Sequence, residues 1–264
     1  MSDIAIMTDS NCGIMPGCEP CPDIHIIPMP VLIDGETFYE GKSITADSFY
    51  RQLASDAAVS TSLPSPGDVM DMWTSLLRDY REVVYIPMSS GLSTSCASAL
   101  ALASDGDFGG RVHVVDNHRI SVTQTQSVLD ACALAEEGKT GRQIKEQLER
   151  EALDASIYIA VDTLKYQKRG GRITPAAAAV GTVLNLKPVL TIQGDKLDAF
   201  AKVRGMKAAF RTMCKAVKKD IDTRLSHLKD EGVLKLGMAE TAMSEEGFLS
   251  WREKYQEFFP DMEI

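Results

Sequence analysis

The largely apolar run Val83-Val-Tyr-Ile-Pro-Met88 breaks at Ser89-Ser-Gly-Leu-Ser-Thr-Ser95, and small residues follow from 96 to 103. An unbroken apolar run of this length reads as a strand buried on both faces, hence a strand of a parallel sheet. The small residues read as a helix packed close against it. A strand, turn and helix in this order aim free backbone N–H groups and the positive end of a helix dipole at whatever lies above the turn. Ser89, Ser90, Ser93, Thr94 and Ser95 add hydroxyls there. An anionic oxygen, carboxylate or phosphate, is the natural guest. The plainer reading is that one serine caps the helix and the others face water.

The same alternation runs through the first half of the chain. Residues 4–7 read as a strand ending in the polar turn Thr8-Asp9-Ser10-Asn11, where α/β proteins place ligands. Residues 13–22 are a Pro/Gly-rich loop. A second apolar stretch covers 24–33, and Asp34-Gly35 is a hairpin signal leading to Phe38-Tyr39. Thr45 is positioned to cap a short helix. Residues 60–66 form an extended hydroxyl-rich strip, because the residue before a proline avoids the helical region. Ser65 with Asp68 makes a capping box, and Pro66 takes the first helical position. A strand over 112–115 and helices over 121–137 and 140–153 complete the first half.

Strand and helix in regular succession predict an α/β fold. We expect a parallel doubly wound N-terminal domain over 1–153 and a second α/β domain, with a mixed or antiparallel sheet, over 154–264. The second domain reads as a strand over 156–161, a small-residue helix over 176–186 and strands over 188–192 and 197–203 around Gly194-Asp195. A long helix from Gly205, a strand over 233–239 and a last helix capped by Ser244 follow.

Charge is uneven. Residues 165–219 carry 13 Lys/Arg against 2 Asp/Glu, whereas residues 1–164 carry 10 against 24. A basic block on an acidic body suggests docking to an acidic partner or an anionic ligand. Nucleic acid is not expected, because the block has few aromatics for stacking and the rest of the chain repels phosphate. Cys96, Cys132 and Cys214 fall in helical patterns and read as core thiols. Cys18-Glu-Pro-Cys21 stands near Cys12, but no second pair has ligand spacing, and Pro20 and Pro22 preclude the helix of a redox CxxC. No metal and no cofactor are expected. No apolar run reaches the roughly 18 residues of a membrane span. The first residues lead straight into a strand, so the expected compartment is the cytoplasm.

Five motifs occur in one order: Thr61-Ser-Leu-Pro-Ser65, Ser89-Ser-Gly-Leu-Ser-Thr94, Lys168-Arg-Gly-Gly-Arg-Ile173, Leu184-Asn-Leu-Lys-Pro-Val189 and Lys202-Val-Arg204. Together they resemble the DegV family of bacterial fatty-acid-binding proteins. The resemblance implies two α/β domains clasping a long-chain fatty acid, with no catalytic residue of the chain's own. It implies that Thr61 and Ser93 hold the carboxylate, with Ser62 and Gly91 beside them and Arg172 near the same site. It places Arg204, with Lys202, Lys207 and Arg211, on the surface met by a separate fatty acid kinase, which makes an acyl phosphate for phospholipid synthesis. Membrane contact would then be transient at most. Family members usually continue into a further strand and a His-x-Gly-Pro-Gly turn; none of His25, His113, His118 or His227 stands in such a motif. The helix expected after the first strand is replaced by the Cys/Pro loop.

Two enzymatic alternatives remain at this point. A serine hydrolase would use Ser93 as nucleophile, although Gly91-Leu-Ser93-Thr-Ser95 lacks the second glycine of a nucleophile elbow. A phosphotransferase relative would need phosphate and magnesium motifs, and no P-loop or Gly-x-Gly-x-x-Gly is present.

Overall fold

The computed structural model describes residues 3–15, 17–55, 57–104, 106–179, 186–192 and 196–264. The chain divides into two compact units, residues 1–152 and 153–264. In the first, β1 (Ile4–Asp9) leads through a 3-10 turn (Ser10–Cys12) and an irregular loop to β2 (Ile24–Ile27), β3 (Pro30–Ile33) and β4 (Glu36–Tyr39). Then come α1 (Ala46–Ala54), β5 (Val59–Thr61), α2 (Pro66–Asp79), β6 (Glu82–Ile86), α3 (Ser95–Ala103), β7 (Val112–Val114), α4 (Val122–Glu136) and α5 (Gly141–Arg150).

Among the described residues β2, β1, β6 and β7 form a sheet in that order, every pairing parallel. Its side chains alternate between two cores, as a strand's period of two requires. Ile4, Ile6, Val84 and Ile86 face α4 and α5, against Val128, Ala131, Ile144 and Leu148. Ala5, Met7, Val83 and Tyr85 face α2 and α3, against Val69, Trp73, Cys96 and Ala99. Helices on both faces make the sheet doubly wound, which is why β1 and β6 carry no polar alternation. A second, antiparallel sheet of order β4, β3, β5 accompanies it. Its β3–β4 connection is the expected tight turn, with Asp34 and Gly35 at φ 50° and 89°. The hydroxyl-rich strip is partly strand: Thr61 pairs with Val31.

Local signals hold where their chemistry is local. Thr45, Ser65, Thr140 and Ser244 each accept a backbone N–H in the first turn of the helix they open; Gln143 closes a capping box on Thr140, whereas of the box expected at Ser65 only the Asp68 N–H to Ser65 Oγ bond forms among the described residues. α5 ends at Arg150, short of the expected 153.

The second unit holds β8 (Ile157–Ala160), α6 (Lys165–Gly170), α7 (Pro175–Ala178), β9 (Leu186–Ile192), β10 (Asp198–Arg204), α8 (Met206–Asp222), α9 (Ser226–Asp230) and α10 (Glu245–Phe258). Its sheet, β10, β9, β8, is antiparallel throughout. Three expectations need correction here. The segment 165–170 is helical, although no helix was expected there. The helix expected over 176–186 covers only α7, with 180–185 outside the described residues and Leu186 already in β9. Residues 233–239 form no strand among the described residues; Leu234, Leu236 and Met238 alternate inward, but they pack on the α8/α10 cluster of Cys214, Ile221, Tyr255 and Phe259. Period-two burial signals an extended backbone, and pairing needs a neighbour the pattern does not supply. Gly194-Asp195 also lies outside the described residues.

Candidate functional site

In a parallel sheet of this order the connections leave β1 and β6 on opposite sides, so the crevice beyond their carboxyl ends is the topological switch point where open α/β folds bind ligands. Two polar turns meet there. After β1, Asp9 is fully buried and accepts from Met88 N (2.7 Å), Asn11 N (3.1 Å), Asn11 Nδ2 (2.8 Å) and Gln124 Nε2 (3.3 Å). Met88 heads the turn after β6, so the carboxylate ties one turn to the other across 79 residues of sequence. Burial pushes the Asp9 carboxyl above its ordinary range, and the donors from Met88, Asn11 and Gln124 pull it back. Gln124, buried on α4, also donates to Thr8 Oγ1 (3.1 Å) and the Ile86 carbonyl (3.2 Å).

The turn after β6 is built from its own serines. Leu92 N and Ser93 N donate to the Ser89 carbonyl at 3.0 and 3.1 Å, and Gly91 N donates to Ser89 Oγ at 3.2 Å. Ser89 N donates to the Arg119 carbonyl at 2.9 Å, which joins the turn to the loop after β7. That loop holds two non-glycine residues in left-handed backbone, His118 (φ 57°) and Ser121 (φ 55°). Such conformations cost about 1–3 kcal/mol each and persist where the surroundings over-determine them. Here Ser121 N donates to the Asn11 carbonyl (3.0 Å), and the buried Arg119 guanidinium donates to Ser127 Oγ and to the Glu151 and Ala152 carbonyls.

Ser93 stands half-buried at the mouth of α3. Its Oγ accepts from Ser95 N (3.1 Å) and lies 2.8 Å from Ser95 Oγ. The plainer reading is thus half right, since Ser93 serves the helix start that Thr94 leaves without a side-chain cap. Either hydroxyl of this pair can donate to the other, and when Ser95 Oγ donates, the Ser93 proton is left for a guest oxygen. Gly91 shares this turn. Thr61 and Ser62 do not; they are exposed at the end of β5, with Ser62 N donating to the Pro30 carbonyl (3.2 Å). In the second unit Arg172 is exposed after α6 and donates to the Gly170 carbonyl at 2.6 Å. Lys202 and Arg204 are exposed on β10, an edge strand, and Lys207 and Arg211 are exposed one turn apart on α8.

The geometry bears on the hydrolase alternative. The imidazole at the turn, His118, reaches Ser90 and not Ser93: His118 Nδ1 is 3.3 Å from Ser90 Oγ. The same nitrogen is the one nearest Asp116 Oδ1, at 3.9 Å, whereas a triad needs opposite ring nitrogens for nucleophile and carboxylate. Among the described residues no three His, Cys, Asp or Glu side chains gather in a metal-binding group, and no helix is long and apolar enough to cross a membrane.

The sequence singles out the Thr8–Asn11 turn but not its partner Gln124, nor the buried Arg119–Ser127 pair beside the turn after β6. A polar trio inside an otherwise small-residue helix, Gln124, Gln126 and Ser127, was the available signal.

Residues 3–263 match the family model described as "Uncharacterised protein, DegV family". The chain belongs to the DegV family. A DegV domain-containing protein from Deinococcus radiodurans is 34% identical over 217 residues, 82% of this chain and 76% of the relative. Among solved structures, a DegV family protein from Thermus thermophilus, described by its fatty acid binding, is 32% identical with a TM-score of 0.74, over 83% of this chain and 78% of its own. DegV from Bacillus subtilis, a fatty acid binding protein, is 26% identical with a TM-score of 0.80, over 100% and 91% of the two chains.

Proposed function

We propose that this DegV protein binds a long-chain fatty acid, with its carboxylate held by the hydroxyls of Thr61 and Ser93 and with Ser62 and Gly91 beside them. The observation that carries the reading is the serine turn after β6, tied by Asp9 at the sheet's switch point, in a chain whose relatives from Thermus thermophilus and Bacillus subtilis bind fatty acids. Arg172 enters as an offsetting charge on the strength of the family's Gly-Gly-Arg turn alone.

The energetics favour a carrier. Each buried methylene contributes about 0.8 kcal/mol, so a tail of roughly 15 supplies on the order of 10 kcal/mol. The tail then drives capture, and the head group needs only enough donors to avoid the several kcal/mol of an unsatisfied buried carboxylate. Neutral hydroxyls suit an acid group that must later leave with its phosphate.

Thr61→Ala and Ser93→Ala are each expected to weaken fatty-acid affinity about 10-fold, the worth of one hydrogen bond to a charged group, with the thermal midpoint little changed. Fluorescent fatty-acid displacement reads this directly, and unchanged affinity in both variants rejects the head-group assignment. Mass spectrometry of lipid extracted from the purified protein identifies the chain length.

We further propose that the bound acid is presented to a separate fatty acid kinase through Lys202, Arg204, Lys207 and Arg211. Charge reversal at Arg204 and Lys207 is expected to abolish kinase-dependent acyl-phosphate formation while fatty-acid affinity stays within 2-fold or so of the parent, since exposed charges steer partners more than they hold the fold. Full acyl-phosphate formation by that variant would remove this face from the proposal.

A further inference from the structure

The loop after β1 does not simply connect strands. Cys12 and Ile14 are buried, and Cys21 packs with them against the α4 and α5 core. There Cys21 Sγ lies 3.1 Å from Cys132 Sγ on α4, across 111 residues of sequence. Both sulfurs are thiols, as are those of Cys12 and Cys18. Cys12 Sγ is engaged by the Ile14 N–H at 3.4 Å, and Cys18 is exposed. Of the three cysteines in the loop, Cys21 is therefore the one set against a second thiol.

We propose that Cys21 and Cys132 form a reversible disulfide, a modification site that answers to hydroperoxides. A disulfide bond is about 2.05 Å long, so the two sulfurs need approach by only about 1 Å. The half-buried Cys21 is the more accessible and reacts first. Its sulfur attacks the outer peroxide oxygen, the O–O bond breaks, and an alcohol (water, from hydrogen peroxide) departs, leaving Cys21 as the sulfenic acid. The Cys132 sulfur then displaces that hydroxyl as water and the S–S bond forms. Two thiols and one hydroperoxide thus yield one disulfide, one alcohol and one water, and a dithiol reverses the step. Burial pushes the Cys132 thiol up and makes it a slow nucleophile by itself, so its resolving role rests on its position 3.1 Å from Cys21.

The bond would have structural reach. It staples the loop to α4, the helix that carries Gln124 on Asp9 and Thr125 on the Cys12 carbonyl. Closing a chain loop of 111 residues is expected to raise the thermal midpoint by about 5–10 °C.

The test is peroxide treatment of the full chain, alkylation of remaining thiols, proteolysis and mass spectrometry, with thermal melts alongside. The expected result is a mass loss of about 2 Da, a single linked pair of peptides containing Cys21 and Cys132, and reversal by dithiothreitol. Cys21→Ser and Cys132→Ser should each abolish the linked pair, and Cys18→Ser should leave it. Alkylation of both Cys21 and Cys132 after peroxide treatment, or a linked pair that uses Cys18 instead, overturns the proposal.

Discussion

Asp9→Asn is expected to lower stability by about 2–4 kcal/mol and to weaken fatty-acid binding together with it. The reason lies in what surrounds the carboxylate. Its contacts are N–H donors: Met88 N on one oxygen, and Asn11 N, Asn11 Nδ2 and Gln124 Nε2 on the other. An asparagine keeps one oxygen and turns an NH₂ group on the remaining donors, so a donor faces a donor in a fully buried space. Keeping the oxygen on the side of Asn11 and Gln124 orphans the Met88 N–H, and the opposite choice orphans the others. Met88 leads into the serine turn, so its release loosens Gly91 and Ser93 relative to β1. Urea unfolding reads the stability loss, and fatty-acid displacement reads the affinity. An Asp9→Asn variant with wild-type midpoint and wild-type affinity would show that the two turns do not depend on this tie.

This coupling marks where the sequence ceases to be legible. The turn after β6 is visible because its signals are adjacent: apolar strand, serines, glycine, small-residue helix. Caps such as Ser65 and Thr140 are visible for the same reason, since their acceptor and donor lie three residues apart. The tie between Asp9 and Met88 spans 79 residues and that between Gln124 and Asp9 spans 115. Nothing in either local stretch specifies the other. Strand order is equally non-local: β1 lies between β2 and β6 only because crossovers carry the chain over both faces. Periodicity also overreaches, as 233–239 shows, where alternating burial is satisfied by helices. Motif resemblance points to Thr61 and Ser93, whereas the pairing of Ser93 with Ser95 is one that no motif names.

The second large effect belongs to Trp73. Its indole is fully buried on α2, edge-on to Tyr85 (6.0 Å between ring centroids) and Phe108 (5.2 Å). Trp73→Ala is expected to cost about 3–5 kcal/mol, through lost apolar transfer and the cavity left behind. Trp73→Phe should cost under about 1.5 kcal/mol, and the comparison carries the argument. The indole Nε1–H is buried without an acceptor among the described residues, so phenylalanine removes an unsatisfied donor while keeping much of the ring. The consequence reaches the proposed binding strip, because α2 begins at the Ser65 cap three residues after Ser62. Trp73→Ala should therefore weaken fatty-acid binding even where the chain remains folded, whereas Trp73→Phe should not. Equal destabilisation by the two variants would mean that the indole N–H finds a partner in solution, and that the ring holds α2 by a polar contact rather than by packing.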